Sequence, residues 1–266
     1  MIDKYFFRRY LSSRNILKYL GAKEVFLIEN HVVIKDELYY IFDSAVGKEI
    51  YYFNQFEPEM KKIFSRYIKT GDTVVDVGAN IGYHTKEFSR LVGEKGKVIA
   101  VEPFLTNFNV LKMNCDDLSN VITENFALGN RDGKLELREY EDTAYVSEFK
   151  ISRVKFTGNT KEVPVKKIDT VFLNNEIDFL KIDVEGGELE VLKGSVKTLR
   201  KHHPVVVCEI SVDNLRSSDT SPGAMVKFMT KLGYACWGID KDSALLPVRK
   251  GVFKKTYNFL FVYERQ

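Results

Sequence analysis

The feature that most constrains the fold is a regular alternation, beginning at residue 73, between short apolar runs and segments with helical periodicity. Each apolar run is rich in valine, isoleucine or phenylalanine and has the length of a buried strand. Strands that are separated by helices need crossover connections, which give a mostly parallel sheet with helices on both faces. The runs that we interpret as strands are residues 73–77, 97–101, 121–126, 179–182 and 204–210.

Other segments have strand character but depart from this alternation. Residues 24–53 hold four runs of β-branched and aromatic residues, which predict short antiparallel strands. Residues 130–168 have the pattern of β-hairpin material inserted into the third crossover. Residues 234–237 and 258–263 have the pattern of a terminal strand pair, which would complete the main sheet.

The composition is that of a soluble globular protein without a nucleic-acid partner. Hydrophobic residues make up 44% and charged residues 29% of the 266 residues, and 40 basic residues against 37 acidic ones give a net charge of +3. So small an excess gives no reason to expect nucleic-acid binding. The three cysteines form no C-x-x-C pair, which argues against a zinc ribbon and suits a reducing compartment. Because no apolar run is long enough to cross a membrane, we expect a cytoplasmic protein.

The first residues carry a separate signal. Residues 1–20 contain five basic residues and one acidic residue together with several aromatic and aliphatic side chains. A basic amphipathic helix of this kind can make weak peripheral contact with an anionic membrane surface, or it can pack on the next domain, which we favour. We assign residues 1–55 to an N-terminal helix plus a β-rich extension, and residues 56–266 to the main domain.

A glycine-containing loop, DVGANIG at residues 76–82, follows the first parallel strand and precedes its helix. In an open α/β sheet, ligands bind beyond the carboxyl ends of the strands, and glycines there let a ligand approach the backbone closely. Glu102 lies 20 residues after Gly82, at the end of the second strand. An acid at that position can accept hydrogen bonds from a ribose, so the segment predicts a site for a nucleoside cofactor.

The loop also indicates which cofactor it suits. Asn80 stands where the dinucleotide fingerprint has its second glycine, and Tyr83 stands where it has its third. The chain contains no phosphate-binding loop of the G-x-x-x-x-G-K-[ST] type. A nucleoside without phosphates therefore fits better, and S-adenosylmethionine is such a nucleoside. The same substitutions argue against a nicotinamide oxidoreductase.

Four motifs together resemble the FkbM-type methyltransferases. They are DVGANIG at 76–82, VEP at 101–103, NFALG at 125–129 and LKIDVEGGE at 180–188. The segments FEP at 56–58, VKKID at 165–169 and CEI at 208–210 resemble that family as well, so the likeness covers about residues 55–240. One departure is Gly187, which stands where the family commonly has alanine.

The resemblance implies a class I, S-adenosylmethionine-dependent methyltransferase with a Rossmann-like, seven-stranded, mostly parallel sheet. Such enzymes commonly act on a hydroxyl, here on a sugar, a glycan or a natural-product intermediate. By the resemblance, Glu102 would hold the ribose, Phe126 and Ala127 would border the adenine, and Asp183 would lie beside the transferring methyl. The methionine part would be lined by Asp76, Gly78, Asn80 and Gly82, and Ala79, Tyr83 and Pro103 complete the predicted cofactor site.

An alcohol that accepts a methyl group must lose its proton, so the site of such an enzyme needs a base. A carboxylate at the carboxyl end of a strand is well placed to act on a substrate hydroxyl. The candidates are Asp183 and Glu185, with His84 behind them. The carboxylates Asp183, Glu185, Glu188 and Glu209 could also hold Mg²⁺ or Ca²⁺, but the chain lacks Cys/His ligand spacing and we expect no metal.

Two alternatives remain open at this point. One is an N-methyltransferase or a methyltransferase acting on protein, because the sequence does not name the acceptor. The other is a catalytically silent protein that binds S-adenosylmethionine, although Asp183 and Glu185 beside an intact loop argue against it. Specificity for the acceptor is expected in segments that carry no motif, residues 130–165 and 211–224.

Overall fold

A computed structural model describes the following residues: 27–28, 31–34, 37–40, 50, 56–140, 146–147, 156–172, 174–210, 220–248 and 257–264. The chain separates into two compact units, residues 1–56 and residues 57–266. The helix expected in residues 1–20 lies outside the described residues, so its contact with a membrane or with another part of the chain stays a prediction.

The first unit contains a small antiparallel sheet. Its strands are β1 (Leu27–Ile28), β2 (His31–Ile34) and β3 (Glu37–Tyr40), in the order β1-β2-β3. Both pairings are antiparallel, as the alternation of β-branched and aromatic runs predicts.

The second unit alternates strands and helices along most of its length. In chain order its elements are α1 (Pro58–Tyr67), β4 (Thr73–Val77), α2 (Tyr83–Val92), β5 (Lys97–Val101), α3 (Leu105–Cys115), β6 (Val121–Glu124), β7 (Ala127–Leu128), β8 (Gly133–Tyr140), β9 (Val146–Ser147), β10 (Phe156–Lys166), α4 (Ile168–Val171), β11 (Phe179–Ile182), α5 (Glu188–Lys193), α6 (Val196–His202), β12 (Val205–Ile210), α7 (Pro222–Lys231), β13 (Tyr234–Ile239), β14 (Leu245–Pro247) and β15 (Tyr257–Tyr263).

Eight of these strands form the main sheet, in the order β14-β13-β15-β12-β11-β4-β5-β6. The five strands from β12 to β6 run parallel, whereas β15 is antiparallel to β12 and to β13. The mostly parallel sheet with a terminal antiparallel pair is therefore confirmed. The eighth strand, β14, was not predicted, because a three-residue edge strand is too short to show an alternating pattern.

The strand order reverses between β4 and β11. From β4 the chain moves outward through β5 to β6, and it then returns to β11 on the other side of β4. Such a reversal opens a crevice at the carboxyl ends of the two central strands, where ligands of open α/β sheets bind. The loop after β4 and the loop after β11 both lie at this edge.

Each face of the sheet carries its own hydrophobic core. Val74 packs with α1 and α2 on one face, and its neighbour Val75 packs with α4 to α7 on the other. Alternation along a strand explains this division, because successive side chains point to opposite faces. Burial of each such side chain contributes about 1.5–3 kcal/mol, so both layers hold the strand ends in fixed positions.

The predicted β-hairpin insertion forms a second sheet with the order β7-β10-β8-β9. Strands β8 and β10 pair antiparallel over most of their length, and the end of β10 pairs parallel with β7. Because β7 follows β6 after two residues, this sheet begins at the same end of the main sheet as the crevice.

Candidate active site

The loop from Gly78 to Gly82 turns sharply at the end of β4. Gly78 has a φ of +78°, and the amide groups of Gly78 and Ala79 both donate to the carbonyl oxygen of Val101, at 2.9 and 3.1 Å. A Cβ atom at Gly78 would lie 1.8 Å from the backbone carbonyl oxygen of Asp183. The close approach of the protein backbone therefore requires glycine at position 78. The sequence had suggested a different reason, namely the space that the methionine part of the cofactor would need.

The rest of this loop rests on α3. Asn80 has a left-handed φ of +50°, which asparagine tolerates better than most residues. Gly82 precedes α2 with a φ of +87°, and a Cβ there would lie 2.8 Å from Leu111. The side-chain amide of Asn114 donates to the carbonyl oxygen of Ile81 at 2.7 Å. Packing from α3 thus fixes the loop in one conformation.

Glu102, at the end of β5, joins this loop to its own strand. It is only 5% exposed. Its Oε2 accepts from the amide of Asn80 at 3.0 Å, and its Oε1 accepts from the amide of Phe104 at 2.9 Å. Burial raises the pKa of Glu102 to about 7, and the nearby carboxylates of Asp183 and Asp76 act in the same direction.

Asn125 holds the segment that follows β6 against Glu102. Its side-chain amide donates to the carbonyl oxygens of Glu102 (2.9 Å) and Pro103 (3.1 Å). The next side chain, Phe126, is buried in the core beside Phe172, and the Nζ atom of Lys166 lies 4.0 Å from its ring centroid. The backbone of this segment therefore lies beside Glu102, while the Phe126 ring packs away from it. Ala127, the following residue, is buried in β7.

Lys181 links Asp76 and Asp183, and the sequence had predicted no role for it. Asp76 is fully buried, and its Oδ2 accepts from the hydroxyl of Thr85 at 2.7 Å. The Nζ atom of Lys181 lies 3.5 Å from Oδ1 of Asp76 and 3.2 Å from Oδ2 of Asp183. Lys181 lies on β11 and Asp183 directly follows that strand, and the spacing of two residues places both side chains on the same face of the sheet.

Asp183 also faces Glu209 on the neighbouring strand. The parallel register pairs Ile182 with Cys208, so Asp183 and Glu209 are the next residues along their strands. Their side chains share a hydrogen bond. The Asp183 carboxylate, burial, and the carboxylates of Glu57 and Glu185 raise the pKa of Glu209 well above its usual range. Near neutral pH this favours a protonated Glu209 that donates to the Asp183 side chain.

Two other acids belong to the turn after β11. Glu185 has a left-handed φ of +54°, and its carboxylate helps to raise the pKa of Glu209. Glu188 is buried at the start of α5, and its Oε1 accepts from the amide of Gly186 at 2.9 Å. Burial raises the pKa of Glu188 to about 7. Glu188 therefore stabilises the turn, whereas Glu185 faces the Asp183–Glu209 pair.

His84 lies on the α1 side of this edge. Its Nε2 is 3.0 Å from Oε2 of Glu57, and its ring packs edge-on against Phe64 and Tyr83. It is buried, as is Tyr83 next to it. His84 therefore contacts Glu57, and the carboxylate of Glu57 in turn raises the pKa of Glu209.

Residues 76–236 match the family described as the methyltransferase FkbM domain, which is well over half of the chain. The chain belongs to the FkbM methyltransferase family. Among curated proteins it is similar to hexuronic acid methyltransferase AglP of Haloferax volcanii, with 28% identity over 155 residues that cover 57% of this chain and 61% of AglP. It is also similar to methyltransferase sdnD of Sordaria araneosa, with 28% identity over 182 residues that cover 56% of this chain and 68% of sdnD.

The chain thus spans about three fifths of the length of AglP. Among solved structures, it resembles a methyltransferase FkbM from Methylobacillus flagellatus with 17% identity and a TM-score of 0.45, covering 72% of this chain and 43% of that one.

The FkbM methyltransferase domain brings most of the predicted site residues to one edge of the sheet. Those that meet there are Asp76, Gly78, Ala79, Asn80, Gly82, Glu102, Pro103, Asp183 and Glu185. His84 and Tyr83 turn toward α1, and Phe126 turns into the core. The contacts of Lys181, Asn125 and Glu57 at this edge, and the hydrogen bond of Glu209 with Asp183, were not predicted. All four lie within segments that resemble the family, and Lys181 and Glu209 also lie on predicted strands next to the crevice.

Neither a metal site nor a membrane span is found in the parts of the chain that the structure describes. Within these ranges, no group of three or more His, Cys, Asp and Glu side chains is arranged to hold a metal ion. No described helix has both the length and the apolar character needed to cross a membrane.

Proposed function

We propose that this chain is an S-adenosylmethionine-dependent O-methyltransferase and that residues 56–266 form its catalytic domain. The observation that carries the proposal is the position of the loop 78–82 between two acids, Glu102 and Asp183. Glu102 is suited to hold ribose hydroxyls, and Asp183 is suited to take a proton from an acceptor. Membership of the FkbM methyltransferase family supports the same activity.

The residues fit this cofactor. The Oδ1 atom of Asn80 is buried and receives no hydrogen bond from any described residue, so it can accept one from a ligand. Each carboxylate oxygen of Glu102 accepts one backbone amide and keeps a second lone pair for a hydroxyl. Asp183 and Glu185 supply negative charge that favours a sulfonium cation. When bound, S-adenosylmethionine supplies an electrophilic methyl group on such a sulfonium.

The chain's own residues then have two tasks. Asp183 accepts the proton of the acceptor hydroxyl, which leaves that oxygen with an electron pair to take up the methyl group. The methyl–sulfur bond of a bound cofactor would break at the same time, and its sulfur would leave as a neutral thioether. Lys181 and a protonated Glu209 hold the Asp183 carboxylate by a charge contact and a hydrogen bond, so that it stays in one orientation. Such positioning and proton removal are the two contributions that a protein can make to a direct displacement.

The acceptor class follows from similarity and from charge. AglP is named for a hexuronic acid, which supports a sugar-type acceptor for this chain. The cluster of carboxylates around Asp183 favours transfer to a neutral hydroxyl of such a sugar over transfer to its carboxylate, because a second negative charge next to Asp183 would be repelled. We therefore propose a hydroxyl of a sugar, a glycan or a natural-product intermediate as the acceptor.

Two measurements on the full chain test the proposal. Isothermal titration calorimetry should show binding of S-adenosylmethionine, and transfer of a labelled methyl group should then occur to at least one member of a panel of hydroxylated sugars. Asp183→Asn serves as the matched control, since it keeps the size of the side chain and loses the basic oxygen. Binding without transfer to any acceptor would favour a silent binding protein, and transfer only to amines would favour an N-methyltransferase.

A further inference from the structure

The charged group at the centre of the site contacts a second acid besides the proposed base. Lys181 is only 6% exposed, and its ammonium lies between Asp76 of β4 and Asp183 at the end of β11. A buried ammonium is strongly disfavoured unless carboxylates or other acceptors surround it. Its position therefore depends on both acids, which are 107 residues apart in the sequence.

The same lysine sits where two strand ends meet the glycine loop. The amide of Asp183 donates to the carbonyl oxygen of Val77 at 3.0 Å, which continues the pairing of β11 with β4. The next residue after Val77 is Gly78, which lies against the Asp183 carbonyl. Lys181 thus connects the strand that leads into the cofactor loop with the acid that we place at the acceptor.

Many acids face this one cation. The carboxylates that raise the pKa of Lys181 are those of Asp183, Asp76, Glu57 and Glu209. The other titratable groups that face these acids are Glu102 from β5, Glu185 and Glu188 from the turn after β11, Cys115 from α3, Cys208 from β12 and His84 from α2. Burial alone would lower the pKa of Lys181, but the surrounding carboxylates outweigh it and raise that pKa above its ordinary value.

We propose that Lys181 is a positioning residue that compensates the negative charge of Asp76 and Asp183 and holds the ends of β4 and β11 together. The functional part of this inference rests on the proposed function, because Asp183 can act as a base only while it is ionised. Lys181 itself need not touch the cofactor or the acceptor. Its contribution is to the charge state and the orientation of the two acids.

Removal of the cation should therefore change how the protein titrates. An opposite charge within about 4–6 Å favours the ionised form of a carboxyl by about 1–3 pKa units, so loss of the Lys181 ammonium should favour proton uptake by the acids that surround it. Carboxyls with a raised folded-state pKa bind more protons in the folded than in the unfolded protein. They stabilise the fold at low pH, and this contribution is lost as the pH rises through the raised pKa.

The test compares urea unfolding of the full chain at pH 5 and at pH 8. Lys181→Met removes the charge and keeps an unbranched apolar side chain. Lys193→Met is the matched control, because Lys193 pairs with Glu190 at the surface, with 2.6 Å between Nζ and Oε1. We expect the urea midpoint of Lys181→Met to fall further below the wild-type midpoint at pH 8 than at pH 5. The midpoint of Lys193→Met should stay close to wild type at both values.

Equal destabilisation of Lys181→Met at the two pH values would overturn the proposal, because packing alone does not depend on pH. If Lys181→Met fails to fold, Lys181→Met/Asp183→Asn provides the second test, since it removes one of the unpaired charges. Folding of this double variant supports the proposal. Its failure to fold while Asp183→Asn folds normally contradicts it.

These measurements are independent of methyl transfer. Failure of the wild-type chain to bind S-adenosylmethionine in calorimetry would refute the proposed function and leave the unfolding comparison unaffected. Once an acceptor is known, the acidic limb of the kcat–pH profile should move up by about 1–3 pH units in Lys181→Met. An unmoved limb would show that Lys181 does not set the charge state of the base.

Discussion

The close approach of Gly78 to Asp183 gives the sharpest prediction for stability. In Gly78→Ala, the new Cβ atom would lie 1.8 Å from the Asp183 carbonyl oxygen, and contacts below 3.0 Å essentially never occur for real Cβ atoms. The obstacle is backbone and cannot rotate away. The ends of β4 and β11 would have to separate by more than about an ångström, at a point where the Asp183 amide still bonds to Val77.

The magnitude has two parts. A side chain at a φ of +78° costs about 1–2 kcal/mol for an L-residue. Forcing an extra methyl group into a filled space costs about 1–3 kcal/mol more. We therefore expect Gly78→Ala to lower the free energy of unfolding by about 2–5 kcal/mol, before any ligand is added.

Gly71→Ala is the matched control. Gly71 has a φ of +95°, and a Cβ atom there would meet nothing within 4 Å. It carries the backbone strain without the clash, so its expected cost is about 1–2 kcal/mol. The smaller conformational freedom of alanine in the unfolded chain affects both variants alike and cancels in the comparison.

The assay is urea unfolding at pH 7 of the wild type, Gly71→Ala and Gly78→Ala, followed by calorimetric titration with S-adenosylmethionine. Equal losses of stability in the two variants would refute the argument from close approach. A Gly78→Ala protein of normal stability that binds the cofactor poorly would instead favour the reason suggested by the sequence, namely that a ligand needs the space.

Three further predictions concern the acids of the site. Asp183→Asn should lower turnover by roughly 10²–10⁴-fold with little change in cofactor affinity, and Glu185→Gln should have a smaller effect, as measured by initial rates of methyl transfer and by calorimetry. Glu102→Ala should weaken binding of S-adenosylmethionine by about 1–3 kcal/mol in a calorimetric titration, because the ribose hydroxyls lose their hydrogen-bond acceptor. Glu188→Gln should flatten the pH dependence of urea unfolding: the pKa of Glu188 is raised to about 7, so its stabilisation is present at low pH and is lost as the pH rises from about 4.5 to 7.

Each of these has a result that contradicts it. Normal turnover in Asp183→Asn with loss of turnover in Glu185→Gln would make Glu185 the base in place of Asp183. Full turnover in both variants would favour His84 or Glu57 as the base. Unchanged affinity in Glu102→Ala would remove the ribose assignment. A Glu188→Gln protein that loses stability between pH 4.5 and 7 as steeply as wild type would show that Glu188 is not the titrating group.

The pattern of the sequence determined the architecture of the main sheet. Apolar runs at residues 73–77, 97–101 and 179–182 became β4, β5 and β11 with unchanged bounds, because a strand buried on both faces is mostly apolar. Intervening helices made parallel pairing necessary, and parallel pairing put the loop after β4 and Glu102 at one edge. The family could be inferred for the same reason, since its motifs lie at the strand ends.

Only the tertiary structure decided which side chains of the site meet. The contact of Lys181 with Asp76 depends on the pairing of β11 with β4, and the contact of Asp183 with Glu209 depends on the register of β11 with β12. The order of residues along a chain fixes neither pairing nor register. Burial is likewise decided by the tertiary structure. The raised pKa of Glu102 comes from the protein packed around it and not from its neighbours in the sequence.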